Sequence, residues 1–277
     1  MIFQSPQQLN PAGLIVWVAF FVIGLFLISK KKVSNKFTIP ILGLSLILGG
    51  ILFGAIPNPI MPIQQIFIAM GAPIPIAALM PMIIMLVVLL LTAFFFGRAF
   101  CGYACPLGAL QELASKIRYK SKYSKKNPKL LHMKKIYSKI IQYTFLVIFG
   151  AAGIVWGASV IQMLNPFGGF KIFTNPYVPA FLIPIILLSV IFIVSFFYYR
   201  PWCQLFCPYG ALTSIVSRFS RYKLRRTDDC NQCELCEKIC PTGESFADSV
   251  KDECYMCGRC IEICPKDAIE LSKAPKK

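Results

Sequence analysis

CNQCELCEKICP, residues 230–241, and CYMCGRCIEICP, residues 254–265, decide how this chain is read. Each is a C-x2-C-x2-C-x3-C-P run. A cubane of four irons needs four soft thiolates converging on it, and a short loop supplies three. In this spacing the fourth comes from the other run. Cys230, Cys233, Cys236 and Cys264 are therefore expected to hold one [4Fe–4S] cluster. Cys254, Cys257, Cys260 and Cys240 are expected to hold the second. Pro241 and Pro265 turn the chain after each remote ligand. Zinc also accepts four thiolates. Zinc ribbons, however, pair two C-x2-C units, and two x2-x2-x3-P runs fit that poorly.

Charge sets this segment apart. Of 12 acids only Glu112 precedes Asp228, and the other 11 fall in residues 228–270. From Thr227 onward the net charge is −4, whereas residues 1–226 carry +21. A boundary is expected near residue 226, between a basic membrane domain (1–226) and an acidic soluble one (227–277). The expected fold is an α-helical polytopic membrane protein carrying a small α+β bacterial 2[4Fe–4S] ferredoxin-like domain at its C-terminus. Only 15% of residues are charged, against about 25% in soluble domains, which suits that reading. Cysteines spaced for clusters rather than disulfides point to a reducing compartment.

A span needs roughly 20 apolar residues. Five segments qualify: about 12–29, 37–56, 81–97, 140–162 and 179–199. The first follows an uncharged stretch and ends at Lys30-Lys31-Lys32, so it reads as a span and not a cleaved leader. With five spans and the N-terminus outside, 28 of the 29 cations fall on one side. The positive-inside rule makes that side cytoplasmic, and with it the tail. The loop 57–80 has no charge and several prolines. It is too apolar for open water and is expected to lie in the outer interface or dip back into the protein.

Two stretches match each other: FFFGRAFCGYACPLGAL (94–110) and FFYYRPWCQLFCPYGAL (196–212). Each follows a span leaving on the tail side. Each is preceded upstream by an Asn-Pro, at 58–59 and 165–166. The chain thus reads as a duplicated two-helix unit, about 37–120 and 140–222. Its C-x3-C-P pairs put Cys101, Cys105, Cys203 and Cys207 at the membrane edge. If the repeats face each other the four thiols converge on a candidate third site, a cluster or a single metal. Redox-active thiols and plain buried cysteines are the other readings. Arg98 and Arg200 read first as interfacial anchors, and second as groups tuning a nearby thiolate site.

No haem is expected, since His132 is the single histidine. No expected span holds Asp, Glu or His, which argues against proton pumping here. Gln64 and Gln65, in the apolar outer loop, are the polar candidates for a quinone site. The basic stretch 116–139 can dock an acidic ferredoxin or flavodoxin, the chain's own acidic tail, or anionic membrane lipid. Nucleic acid is not expected as a partner, because the charge adjoins spanning helices.

On the paired CX3CP motifs, the CPYGAL at 207–212 and the DDCNQCELC at 228–236, the chain resembles the NapH/MauN group of membrane ferredoxin-type proteins. NosR and the CcoG/RdxA proteins form the wider set. The resemblance covers roughly residues 50–270. It implies a multi-pass membrane electron-transfer subunit of an oxidoreductase, linked to quinol and to a partner redox protein. The first span, with its N-terminus outside, departs from that pattern. Two other functions fit the same residues: an electron donor for maturing or reactivating another metalloenzyme, and a redox sensor using the four membrane-edge thiols.

Overall fold

The computed structural model describes residues 11–54, 57–71, 75–118, 133, 135–157, 163–174 and 182–273. It is mostly helical. Pro11–Ser29 (α1) is apolar on every side. It buries Trp17, Phe20 and Ile28 but leaves Ile15, Val22 and Phe26 exposed. A helix apolar all round suits lipid on its open face. Asn35–Ser45 (α2) runs on into a π-helical segment, Leu46–Leu52. Ile76–Phe96 (α4) and Lys135–Trp156 (α7) complete a set of four helices long and apolar enough to cross a membrane.

The fifth expected span, 179–199, is a helix over Leu182–Val194 (α8), 13 residues long. Residues 179–181 lie outside the described ones. Its lower end comes early because the chain turns at 195–197 and Arg200 adopts a φ of +48°. α7 begins at Lys135 and not near 140. Its first-turn lysines are met by tail carboxylates, so they mark a protein contact and not the water boundary.

Within the loop 57–80, residues 60–71 pack back against the protein, and residues 72–74 lie outside the described ones. Ile60–Gly71 (α3) is a helix whose Pro62 lies in the first turn, where an amide has no helical partner to lose. The Asn58 Oδ1 accepts from the amides of Ile60 and Met61 at 3.1 and 3.3 Å. Gly150 of α7 faces Phe67, and Gly71 faces the Ile154 carbonyl. The two helices therefore run side by side, and α3 starts in the buried core at Ile60. The second Asn-Pro does the same on a smaller scale. Asn165 Oδ1 accepts from Phe167 N at 3.1 Å and opens a 3-10 helix, Pro166–Phe173. That helix packs on α8, with Gly168 against Pro184. Its Phe170 meets Gly50, in the π-helical segment of the other repeat.

Each repeat then ends alike. Ala99–Tyr103 (α5) leads to Pro106–Arg118 (α6). A π-helical turn, Trp202–Phe206, leads to Pro208–Arg218 (α9). One buried core joins these turns to Trp17, Ile60, Leu89, Phe149 and Phe167.

The tail has two short helices, Leu235–Ile239 (α10) and Arg259–Ile263 (α11). Tyr222–Arg226 (β1) pairs antiparallel with Ile269–Lys273 (β2), Tyr222 opposite Lys273. The boundary near 226 drawn from charge therefore cuts behind a strand that pairs within the tail. A second core joins Ile28, Val33, Leu42 and Tyr103 to Leu224, Met256, Ile261 and Ile269. The tail is packed on the membrane domain and does not hang free of it.

Candidate iron–sulphur sites

Cys230, Cys233, Cys236 and Cys264 line one cavity. Cys240, Cys254, Cys257 and Cys260 line another. Each loop is bent by residues in the left-handed region. They are Gln232 and Glu234 in the first run, Met256 and Gly258 in the second, with φ between +53° and +77°. Such backbone persists where its surroundings over-determine it, as at ligand clamps. The two remote cysteines are treated alike. Cys240 Sγ accepts from Glu244 N at 3.2 Å, and Cys264 Sγ from Ala268 N at 3.3 Å. Hydrogen bonds to sulphur raise a cluster's potential. The cages differ in setting: Cys233 is exposed, whereas the second cage is walled by Tyr199, Tyr255 and Arg259.

Cys101, Cys105, Cys203 and Cys207 are all buried in the core of the membrane domain. Cys101 and Cys203 lie on the two turns, while Cys207 caps α9 and Cys105 precedes α6. Gly108 and Gly210 let the turns close. A Cβ on Gly108 would lie 2.2 Å from the Cys101 carbonyl oxygen, and one on Gly210 2.7 Å from that of Cys203. Cys207 Sγ accepts from Gly210 N at 3.3 Å, and Cys203 Sγ from Gln111 Nε2 at 3.2 Å. Gln142, midway along α7, donates to the Cys203 carbonyl at 2.9 Å. Among the described residues no group of three or more Cys, His, Asp or Glu is arranged to hold a single metal ion.

Arg98 and Arg200 are not headgroup anchors. Both are fully buried, and each grips the other repeat. Arg98 Nη2 donates to the Gly210 carbonyl at 3.0 Å. Arg200 Nη1 and Nη2 donate to the Cys101 and Gly102 carbonyls at 2.6 and 3.3 Å. Arg98 also pairs with Glu253 of the tail at 2.8 Å and donates to Tyr255 Oη at 2.7 Å. Burial pushes the Glu253 carboxyl up, against the pull of Arg98. Glu112 carries the opposite connection. It accepts from Arg200 Nε at 3.0 Å, Arg259 Nη2 at 2.9 Å and Tyr199 Oη at 2.7 Å. Burial pushes this carboxyl up, but Arg259, Arg200 and Lys116 outweigh it and hold it at about 2.

Lys135 and Lys139 meet Asp252, and Lys135 also meets Glu244 at 2.5 Å. Lys135 and Lys139 of the basic stretch thus serve the chain's own tail, Lys116 donates instead to Asn35 and Thr38, and residues 119–132 and 134 lie outside the described ones. Gln64 is buried in α3 and Gln65 half-buried. His132 lies outside the described residues. Sequence reasoning missed Gln111, Gln142, Glu112 and Tyr255. Glu112 alone left a trace there, as the one acid in residues 1–226.

A family profile described as a 4Fe-4S binding domain matches twice, over residues 78–126 and 180–227. These are the stretches that hold the two CX3CP pairs. The profile of the LdpA Fe-S cluster-binding domain matches residues 227–274. Uncharacterized protein MJ0750 of Methanocaldococcus jannaschii is 34% identical over 158 residues, 56% of this chain and 63% of its own length. The ferredoxin-type protein NapH of Escherichia coli is 26% identical over 232 residues, 80% of this chain and 71% of NapH. The methylamine utilization ferredoxin-type protein MauN of Paracoccus denitrificans is 27% identical over 157 residues, 56% of this chain and 52% of MauN. The chain therefore spans 63% of MJ0750 and 52% of MauN. No solved structure matches.

Fold, cages and matches together define a protein with 4Fe-4S binding domains joined to helices long and apolar enough to cross a membrane. The two 4Fe-4S matches and the relatives named NapH and MauN support a likeness to the NapH/MauN-type membrane ferredoxin proteins.

Proposed function

We propose that the chain is a membrane-bound subunit that moves electrons between the quinone pool and a partner redox protein. The eight tail cysteines hold two [4Fe–4S] clusters in the two sets named above, within an α+β two-cluster ferredoxin fold. Cys101, Cys105, Cys203 and Cys207 hold a third iron–sulphur cluster. An iron–sulphur cluster supplies one-electron storage at these places. The chain's residues supply ligands, hydrogen bonds to sulphur and exclusion of water.

The observation that carries the reading is charge buried between the second cage and the four membrane-edge cysteines. Arg98, Arg200, Arg259 and Lys116 are buried there with two carboxylates, Glu112 and Glu253. Burying cations beyond the number of anions is costly. Thiolates on clusters in the second cage and between the turns offset that excess, and Arg98 and Arg200, bonded to the two cysteine-bearing turns, lie beside the inner one. The residues therefore fit a cluster better than free thiols. Burial of the four sulphurs beneath the tail also disfavours a thiol sensor, which needs access.

The same reading places five spans in the membrane, with the N-terminus outside and the tail in the cytoplasm, on the distribution of Lys and Arg. Iron and acid-labile sulphide are expected at about twelve each per chain, four per cubane. A count near eight removes the third cluster. Reduction of the purified chain by a menaquinol analogue tests the quinone link, and clusters that stay oxidised with it end that link.

A further inference from the structure

The duplicated turns are clasped crosswise. Arg98, from the first repeat, holds the Gly210 carbonyl beside Cys207. Arg200, from the second, holds the Cys101 carbonyl. One tail residue meets both guanidiniums. The Tyr255 ring centroid is 5.1 Å from the Arg98 guanidinium and 4.7 Å from that of Arg200, and its hydroxyl accepts from Arg98. Tyr255 lies between Cys254 and Cys257 in sequence and walls the second cage. It also covers the four-cysteine site, since a Cβ on Gly102 would lie 2.4 Å from its carbonyl oxygen. A ring stacked on guanidiniums in a dry interior feels charge strongly.

We propose that Arg98, Tyr255 and Arg200 are positioning residues. They set the reduction potential of the group held by Cys101, Cys105, Cys203 and Cys207, and they tie it to the second tail cage. This inference rests on the reading that those four cysteines hold a cluster. Adding one electron makes that group more negative by one charge, with no bond made or broken. Buried guanidiniums on the cysteine-bearing turns favour the added charge, so removing one lowers the potential.

The test is a mediated dithionite titration of the full-length chain in detergent, followed by electron paramagnetic resonance and preceded by an iron count. Near eight irons the underlying reading fails. Near twelve, the inference is tested separately. Arg98→Gln is expected to weaken reduction of the third group at least tenfold, 59 mV for one electron. Arg98→Lys, which keeps the charge and loses the fork, is expected to recover most of it. Equal shifts in both variants, or none in either, overturn the proposal. Should the variants lose iron, the fully reduced wild type decides. Its spectrum is expected to show magnetic coupling between the third group and a tail cluster, and uncoupled spectra overturn the proposal.

Discussion

At the scale of single residues, the two cages show where the backbone is held against its preference. Glu234 sits at a φ of +58°, where the second run has Gly258 at +77°. A side chain in that region costs roughly 1–2 kcal/mol. Glu234→Gly is therefore expected to slow loss of first-cage absorbance on heating. Gly258→Ala should do the reverse, because its Cβ would also fall 2.0 Å from Val33 Cγ1. A further prediction concerns acid. Glu112 is held at about 2, below the ordinary 4.5, so its contribution is whole above about 4.5 and is lost as pH falls towards 2. Protease sensitivity of the tail should rise over that window, and Glu112→Gln should flatten the change. The grouping of the eight tail cysteines around two cavities was readable, because spacing alone encodes it. The arginines were not. A count of cations treats a snorkelling arginine and a buried one alike, and the partner of Arg98 lies 155 residues away.

At the scale of elements, the duplication was readable and its depth was not. Matching motifs reveal two copies, but hydropathy does not separate a helix facing lipid from one facing protein. That is why α3 could be expected to dip without its packing partner being named. The Asn58 and Asn165 caps now explain why an Asn-Pro opens both re-entrant pieces: the asparagine accepts the first amides, and the proline has none to lose. Asn58→Ala is expected to lower stability by about 1 kcal/mol, read as a shift in thermal unfolding in detergent. Asn165→Ala should cost a similar amount. The two losses should add, since each asparagine caps a different piece.

For the whole molecule, the opposed charges of the two halves foretold an attraction but not its anatomy. The structure divides the tail's acids. Glu244, Asp252 and Glu253 are buried against the membrane domain, while Asp228, Asp229 and Glu234 stay exposed near Cys233. The contacts are unequal in weight. Lys135 and Lys139 are partly exposed, and replacing either by Ala should cost under about 1 kcal/mol. Breaking Arg98–Glu253, buried on both sides, should cost about 3–5 kcal/mol. Hydrogen exchange over residues 252–260 would rank the three. Because Tyr255 and Met256 close over the turn that bears Cys101, the docked tail is also a door. The protein must be built in sequence: whatever the four inner cysteines are to carry has to arrive while that door stands open.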